Sequence, residues 1–454
     1  MAASLRILTV GSLPPSWGGA TTGGVAAVHA QLTAEFLSPD LKWGVALSGV
    51  VAPNLAPGAA PKPPVLALPA GLSGPAQRRW YLETLSRLAP DLVLYHHLAH
   101  LWAREHARAC PIPYVGIIHS WHPVTFGPPE AREKKRAILH EVLPRAAALV
   151  FPSRHALEEG RALAMPYPPA VHVVHNPVDP AFFAESMGED ASAAFPSPLR
   201  GGWTAALGGW TGGVPSTRTT SPLHPHDAPR VEAAVRTPPE RPAAARPSDP
   251  LKGEGGAGAE AESTPPTRVP RIAAVGSLVP RKRLDLVIRA CAALGSSLVV
   301  AGEGELDAEL RALARSLGAD VAFAGAVPPQ ELAALVAGCD ALCVPSASES
   351  FGNVYAEALA LGVPVIGFAP TLAEIAGAMG MKIGVGVPPD ATLEDVTEAL
   401  RTVLATDWNR HALATQAATR FSPRAVAASY AQIMRQAATA PPPPQGGRKD
   451  GQPP

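Results

Sequence analysis

The sequence predicts an α/β protein of two doubly wound parallel-sheet domains facing a central cleft. Three observations predict it. Short apolar, β-branched runs alternate with helical periodicity over residues 5–183, and again over 271–436. This is the pattern of parallel strands covered by helices on both faces. Between the two halves lies an interval with neither period. Finally, 454 residues with 47% apolar composition are enough for two separate cores.

In the first half, Leu5–Val10 reads as a strand, followed by a glycine-rich loop and a helix over Gly24–Phe36. Further strands are expected at Trp43–Ser48, Asp91–Tyr95, Tyr114–Ile118, Ala148–Phe151 and Val171–Val174, with helices between several of them. From 185 to 268 Gly, Pro, Ala, Ser and Thr dominate. Such a stretch buries too little apolar surface to offset its ordering entropy, so a disordered insertion is expected. Trp203 and Trp210 are its large apolar residues, as a docking motif or without a partner. Order is expected to return at Arg271, with strands at Ile272–Val275, Leu298–Ala301, Val321–Phe323, Ala341–Val344, Val363–Phe368 and Ile383–Val387. Helices over Leu393–Leu404 and Pro423–Gln436 close the chain. The resulting domains are 1–184, 269–422 and a closing helix at 423–437, with a tail over 438–454 disordered by composition.

Composition excludes several classes. Lys plus Arg and Asp plus Glu are each 38, and a neutral chain offers nucleic acid no electrostatic footprint. Four cysteines, Cys110, Cys291, Cys339 and Cys343, are too few and too irregular for a disulfide framework or a zinc site, which suits a reducing compartment. Leu5–Val10 is too short for a signal peptide, and no apolar run reaches a membrane span. A soluble, cytoplasmic protein is expected. The basic run Arg132, Lys134, Lys135 and Arg136 is read as a solvated face, with peripheral membrane contact as the alternative.

The most informative stretch is PSASESFGNVYAEALALGVPVIGF at 345–368. The strand Ala341–Val344 ends in a polar loop, and a helix is predicted over Asn353–Leu361. Ligands of open parallel sheets bind beyond the strands' carboxyl ends. Glu349 therefore belongs to a loop at a crevice, and Glu357, separated from it by seven residues, to the following helix. The amides of Phe351, Gly352 and Asn353 open that helix and suit an oxyanion. Carboxylates that can grip neighbouring hydroxyls, beside amides that suit a diphosphate, point to a sugar nucleotide. The bland alternative is a pair of solvated helix-end acids. Lys282 follows a strand and opens a helix, where it can neutralise a diphosphate, flanked by Arg281 and Arg283; a solvated basic loop is the rival. Gly23 and Gly24 allow close backbone approach at the first helix start, although glycines there can simply serve the turn. His96, His97 and His100 are read as surface or crevice lining rather than as metal ligands, because no carboxylate lies among them.

The 345–368 block resembles the E-x7-E region of the family 4 glycosyltransferases. VGSLVPRKRLDLVIRA, LVVAGEGELDAELRALARSLG and VAFAGAVPPQELAALVAGCDALCVPS follow in that family's order, and GGVAAVHAQLTAEF and VHVVHNPVDPAFF resemble its first-domain segments. The resemblance covers about 5–183 and 269–437. It implies the GT-B fold of two Rossmann-like domains. It also implies sugar transfer from a nucleoside diphosphate donor to a hydroxyl acceptor (a small molecule, glycan or lipid), with retention of configuration and no required metal or cofactor. On that reading residues 1–184 form the acceptor side and 269–422 the donor side, Glu349 holds sugar hydroxyls and Glu357 the ribose. Lys282, with the 351–353 amides, stabilises the leaving diphosphate, and His119 lies beside the transferred sugar, with His122 its rival. Ser277 stands where the family usually has an arginine. FAPTLAEIA replaces a glycine pair, with Glu374 matching a frequent glutamate of that loop. A sugar-nucleotide epimerase or a non-catalytic sugar-nucleotide-binding protein are the alternatives.

Overall fold

The computed structural model describes residues 4–13, 24–37, 43–52, 65–69, 71–183 and 268–439. Gly23, Trp203, Trp210, the 185–267 interval and the tail from 440 lie outside the described residues.

The first sheet is built from β1 (Leu5–Val10), β2 (Val45–Ala52), β3 (Val65–Ala67), β4 (Leu92–Tyr95), β5 (Tyr114–Ile117), β6 (Ala148–Phe151) and β7 (Val171–Val173). Its helices are α1 (Gly24–Leu37), α2 (Gly74–Leu88), α3 (Leu101–Ala109), α4 (His122–Thr125), α5 (Pro129–Val142) and α6 (Arg154–Ala162). All strands run parallel in the order β3-β2-β1-β4-β5-β6-β7. The winding reverses between β1 and β4, which opens a crevice at their carboxyl ends.

The second sheet repeats the plan with β8 (Arg271–Val275), β9 (Ser297–Ala301), β10 (Val321–Gly325), β11 (Ala341–Val344), β12 (Val365–Phe368) and β13 (Gly384–Val387). Its order is β10-β9-β8-β11-β12-β13, again all parallel, with the reversal between β8 and β11. The helices are α7 (Leu284–Leu294), α8 (Asp307–Leu317), α9 (Pro329–Ala337), α10 (Asn353–Ala360), α11 (Ala369–Met379), α12 (Leu393–Ala405), α13 (Arg410–Phe421) and α14 (Pro423–Thr439). Local chemistry sets their ends. Thr392 and Asp395 form a reciprocal capping box on α12, and Gly295 and Gly318 close α7 and α8 in the left-handed region.

Each sheet is covered on both faces by apolar clusters. One cluster joins distant chain segments. Val426, Ala427, Tyr430, Ala431 and Met434 of α14 pack with Ile7, Leu94 and Val115 of the first sheet and with Val28 and Leu32 of α1. The last helix thus completes the core of the first domain.

Two elements differ from the sequence reading. β3 was not anticipated; it is three residues long, too short to show a period. FAPTLAEIA, read as a loop, is the end of β12 and the first turns of α11. Pro370 in its first turn is compatible with that helix, because the leading amides have no intrahelical partner there.

Candidate active site

Both switch points open onto one cleft, a cavity of about 720 Å³. Its lining includes Gly24, His119 and His122 from the first domain, and Ser277, Arg281, Lys282, Glu349, Phe351, Gly352, Asn353 and Glu357 from the second. Every site residue expected from the sequence therefore meets in one place, apart from Gly23, which lies outside the described residues.

The second-domain wall is an ionic cluster. After β8 the chain turns at Gly276, with φ +140°, and a short 3-10 turn, Pro280–Lys282, aims Lys282 inward. Lys282 is 7% exposed, and its Nζ donates to Glu349 Oε1. The same oxygen accepts from Ser346 Oγ at 2.8 Å and from Arg281 Nη1 at 3.4 Å. Oε2 of Glu349 has no partner among the described residues. Burial works to raise the Glu349 carboxyl, but Lys282, Arg281 and Ser346 together hold it below the ordinary range. Lys282 is thus held in place against a carboxylate at the cleft wall.

α10 starts on a strained residue. Gly352 sits at φ +71°, and an added Cβ would fall 2.4 Å from the Tyr355 ring. Only glycine fits there. Tyr355 is fixed by donating to Val344 O at 2.8 Å and accepting from Phe368 N at 3.1 Å. The Phe351 ring is core, 2% exposed, so this residue can serve a ligand only through its backbone. Opposite α10 stands the start of α1: a Cβ on Gly24 would lie 2.9 Å from Asn353 Nδ2. Two helix N-termini therefore meet at the cleft, an arrangement that favours an anion between them. Glu357, a turn into α10, is pushed up to about 7 by burial and by Asp179, with Lys282 opposing.

On the first-domain wall, burial and the neighbouring histidines depress His119 to about 3, and its Nε2 has no hydrogen-bond partner. His29, His96 and His119 form a column, with ring centroids 4.1 and 5.5 Å apart. His100 caps α3 by accepting from Ala103 N at 3.2 Å. His96 and His100 thus have packing and capping roles. Among the described residues no group of three His, Cys, Asp or Glu side chains could hold a metal ion.

The domains touch around the loop from Ser346 to Asn353, the donor loop expected from the sequence. Asn176 Nδ2 donates to Asn353 Oδ1 at 2.8 Å, and Ser153 Oγ donates to Ser350 O. Glu374 is not part of a ligand loop. It lies on α11 and accepts from Arg154 N at 2.7 and 2.8 Å and from His155 N at 3.3 Å, at the start of α6. His175 Nε2 adds a contact at 3.3 Å. Sequence reasoning gave no role to Asn176, Glu159, Phe126 or Glu303, all of which line the cleft or its mouth.

Two tandem parallel-sheet domains with a cleft at both switch points define a GT-B protein. Known proteins agree. Residues 259–420 match the model of Glycosyl transferases group 1, and residues 42–182 that of Glycosyltransferase Family 4. The chain belongs to the family 4 glycosyltransferases. A GDP-mannose-dependent monoacylated alpha-(1-6)-phosphatidylinositol monomannoside mannosyltransferase of Corynebacterium glutamicum is 35% identical over 109 residues, 21% of this chain and 29% of that protein. A D-inositol 3-phosphate glycosyltransferase of Kribbella flavida is 37% identical over 155 residues, 30% of this chain and 35% of that protein. These matches span about a third of the curated relatives' length. Among solved structures, sucrose-phosphate synthase from Thermosynechococcus elongatus superposes with a TM-score of 0.64 at 17% identity, covering 95% of this chain and 98% of that one. Anabaena HepE, solved with UDP and glucose, gives 0.61 at 14% identity, covering 95% and 99%. Among the described residues no helix is long and apolar enough to cross a membrane.

Proposed function

We propose that the chain transfers a glycosyl group from a nucleoside diphosphate sugar to a hydroxyl-bearing acceptor, with retention of configuration and without a metal. The observation that carries this is the Lys282–Glu349–Arg281 cluster placed beside two converging helix N-termini in one cleft. In the reaction the bond from the anomeric carbon to the leaving phosphate breaks, and a bond to the acceptor oxygen forms. The acceptor's proton passes to a leaving phosphate oxygen on the same face. Negative charge grows on that phosphate, and preorganised donors at that point are the main lever. Lys282, Arg281 and the Gly352 and Asn353 amides supply them, while Ser277 lines the phosphate site from the end of β8. Glu349 Oε2 is free for sugar hydroxyls, and Glu357 is placed one turn on to take ribose hydroxyls. Neutral His119 offers Nε2 to the transferred sugar. The names of the curated relatives support a nucleotide sugar as donor class.

The test is a thermal-shift screen of UDP-, GDP- and ADP-sugars, followed by product analysis. Ligand that binds the folded state raises the melting temperature. A stabilising donor and an α-linked product from an α-linked donor, formed in the presence of EDTA, are expected. An inverted product or loss of activity in EDTA would overturn the stereochemical or metal-free part. Binding without any transfer would leave a sugar-nucleotide-binding protein, and isomerised donor an epimerase.

A further inference from the structure

Among the described residues, the first-domain wall of the cleft carries no cation to complement the donor side. Of those that line it, the only carboxylate, and the only charge of either sign, is Glu159 on α6, and no described Lys or Arg of this domain lines the cavity. Both histidines there titrate below their ordinary range, through burial and, for His122, the nearby Arg281. Arg281 and Lys282 belong to the opposite wall and are already paired with Glu349.

Glu159 itself is unpaired. Its neighbour Glu158 is bridged to Arg161 at 2.7 Å on the exposed side of α6. The Glu159 carboxylate has neither a hydrogen bond nor an ion pair among the described residues, and burial raises it above the ordinary carboxylate range. Tight packing fixes its position. Trp121 Nε1 donates to Ala156 O at 2.7 Å. A Cβ on Gly160 would lie 2.1 Å from the Trp121 ring and from the Tyr167 hydroxyl. The helix bearing Glu159 is thus pressed against the segment that carries His122 and Phe126. Phe126 is 59% exposed. His122 stacks on one face of its ring, with centroids 4.5 Å apart and 22° between planes, and the rest of the ring is open to solvent.

We infer that this wall, on the side that the family resemblance gives to the acceptor, takes an uncharged polyol ring, a pyranose or a cyclitol. Glu159 would accept two neighbouring hydroxyls, and Phe126 would stack on the ring's C–H face. The inference rests on the glycosyl-transfer reading. A half-buried carboxylate without a partner is costly until donors reach it, and hydroxyls supply donors without a charge. An aromatic face open at the mouth suits the apolar side of a sugar ring. A phosphorylated ring would instead meet like charge with no cation beside it, the repulsive element that selects against a partner.

Matched pairs test this with the full chain and the donor found by thermal shift: myo-inositol against inositol 1-phosphate, and methyl α-D-glucopyranoside against its 6-phosphate. The neutral member is expected to have the higher kcat/KM by about tenfold or more. Glu159→Gln is expected to raise the neutral acceptor's KM about tenfold and to shrink that preference, and Phe126→Ala to raise it about fivefold. Donor affinity, titrated without acceptor, should stay within about twofold of wild type in both. Better transfer to the phosphorylated members would overturn the assignment. So would an unchanged preference in Glu159→Gln, or no transfer to either neutral ring by a chain that binds and hydrolyses donor. If no nucleoside diphosphate sugar binds at all, the glycosyl-transfer reading itself falls, and this assignment with it.

Discussion

Two residues carry most of the expected electrostatics, and they act in opposite senses. Lys282 is paired and buried before any ligand arrives. Lys282→Ala is expected to cost on the order of 2–4 kcal/mol in the transition state, the loss of one preorganised donor, read as kcat/KM with the best donor. Glu349→Gln keeps the shape but leaves buried Lys282 without its carboxylate, so kcat should fall and the melting temperature with it. Glu357 is the reverse case, a carboxyl whose folded value of about 7 lies above its unfolded value of 4.5. The stability it contributes is complete below pH 4.5 and is lost as pH rises through 7. Glu357→Gln should therefore stabilise the unliganded protein at pH 8, by up to about 3 kcal/mol, and leave it nearly unchanged at pH 4; equal shifts at both pH values would refute the burial argument. Ribose hydroxyls would favour the ionised form, so donor affinity should weaken as pH falls below 7. These residues were legible in the sequence because their types and spacing carry chemistry. Glu159 was not. In RHALEEGRA it reads as one of two adjacent surface acids, and helical periodicity does not say which of them turns toward a second domain.

At the scale of elements, the informative contact is α11 against α6. Glu374 holds the first amides of α6 from the other domain, and Ser153 and Asn176 reach the donor loop on the same side. Glu374→Ala should loosen the closed arrangement. Amide exchange at Arg154 and His155 should speed up, and donor affinity should weaken about three- to tenfold, because part of the binding energy then goes into closing the domains. Exchange rates equal to wild type would show that Glu374 holds nothing closed. The sequence reading placed Glu374 in a loop because it matches a frequent glutamate of the family's segment after that strand. The chain instead enters a helix at once, and the glutamate one turn in turns to the neighbouring domain. Strand centres were otherwise legible, Leu5–Val10, Ala148–Phe151 and Ala341–Val344 to the residue. Strand ends elsewhere shifted by one to four residues, since apolar runs continue into the loops that cover the cleft.

At the scale of the whole molecule, the chain's path matters more than any pair of residues. Tyr430 and Met434 are both fully buried against the first sheet. Met434→Ala should cost about 2–5 kcal/mol, and because α14 belongs to the first domain's core, the damage should appear there. Exchange in β1 and β5 should rise before exchange in β8 and β11; a loss confined to the second domain would contradict this path. The same crossing governs how the chain is made. A ribosome finishes β1 to β7 early but makes α14 only after the entire second domain. At ordinary elongation rates, Ile7, Leu94 and Val115 wait for their cover for roughly 10–50 s. Throughout that interval the nascent first domain presents an unfinished greasy face, open to unwanted apolar partners until α14 is made.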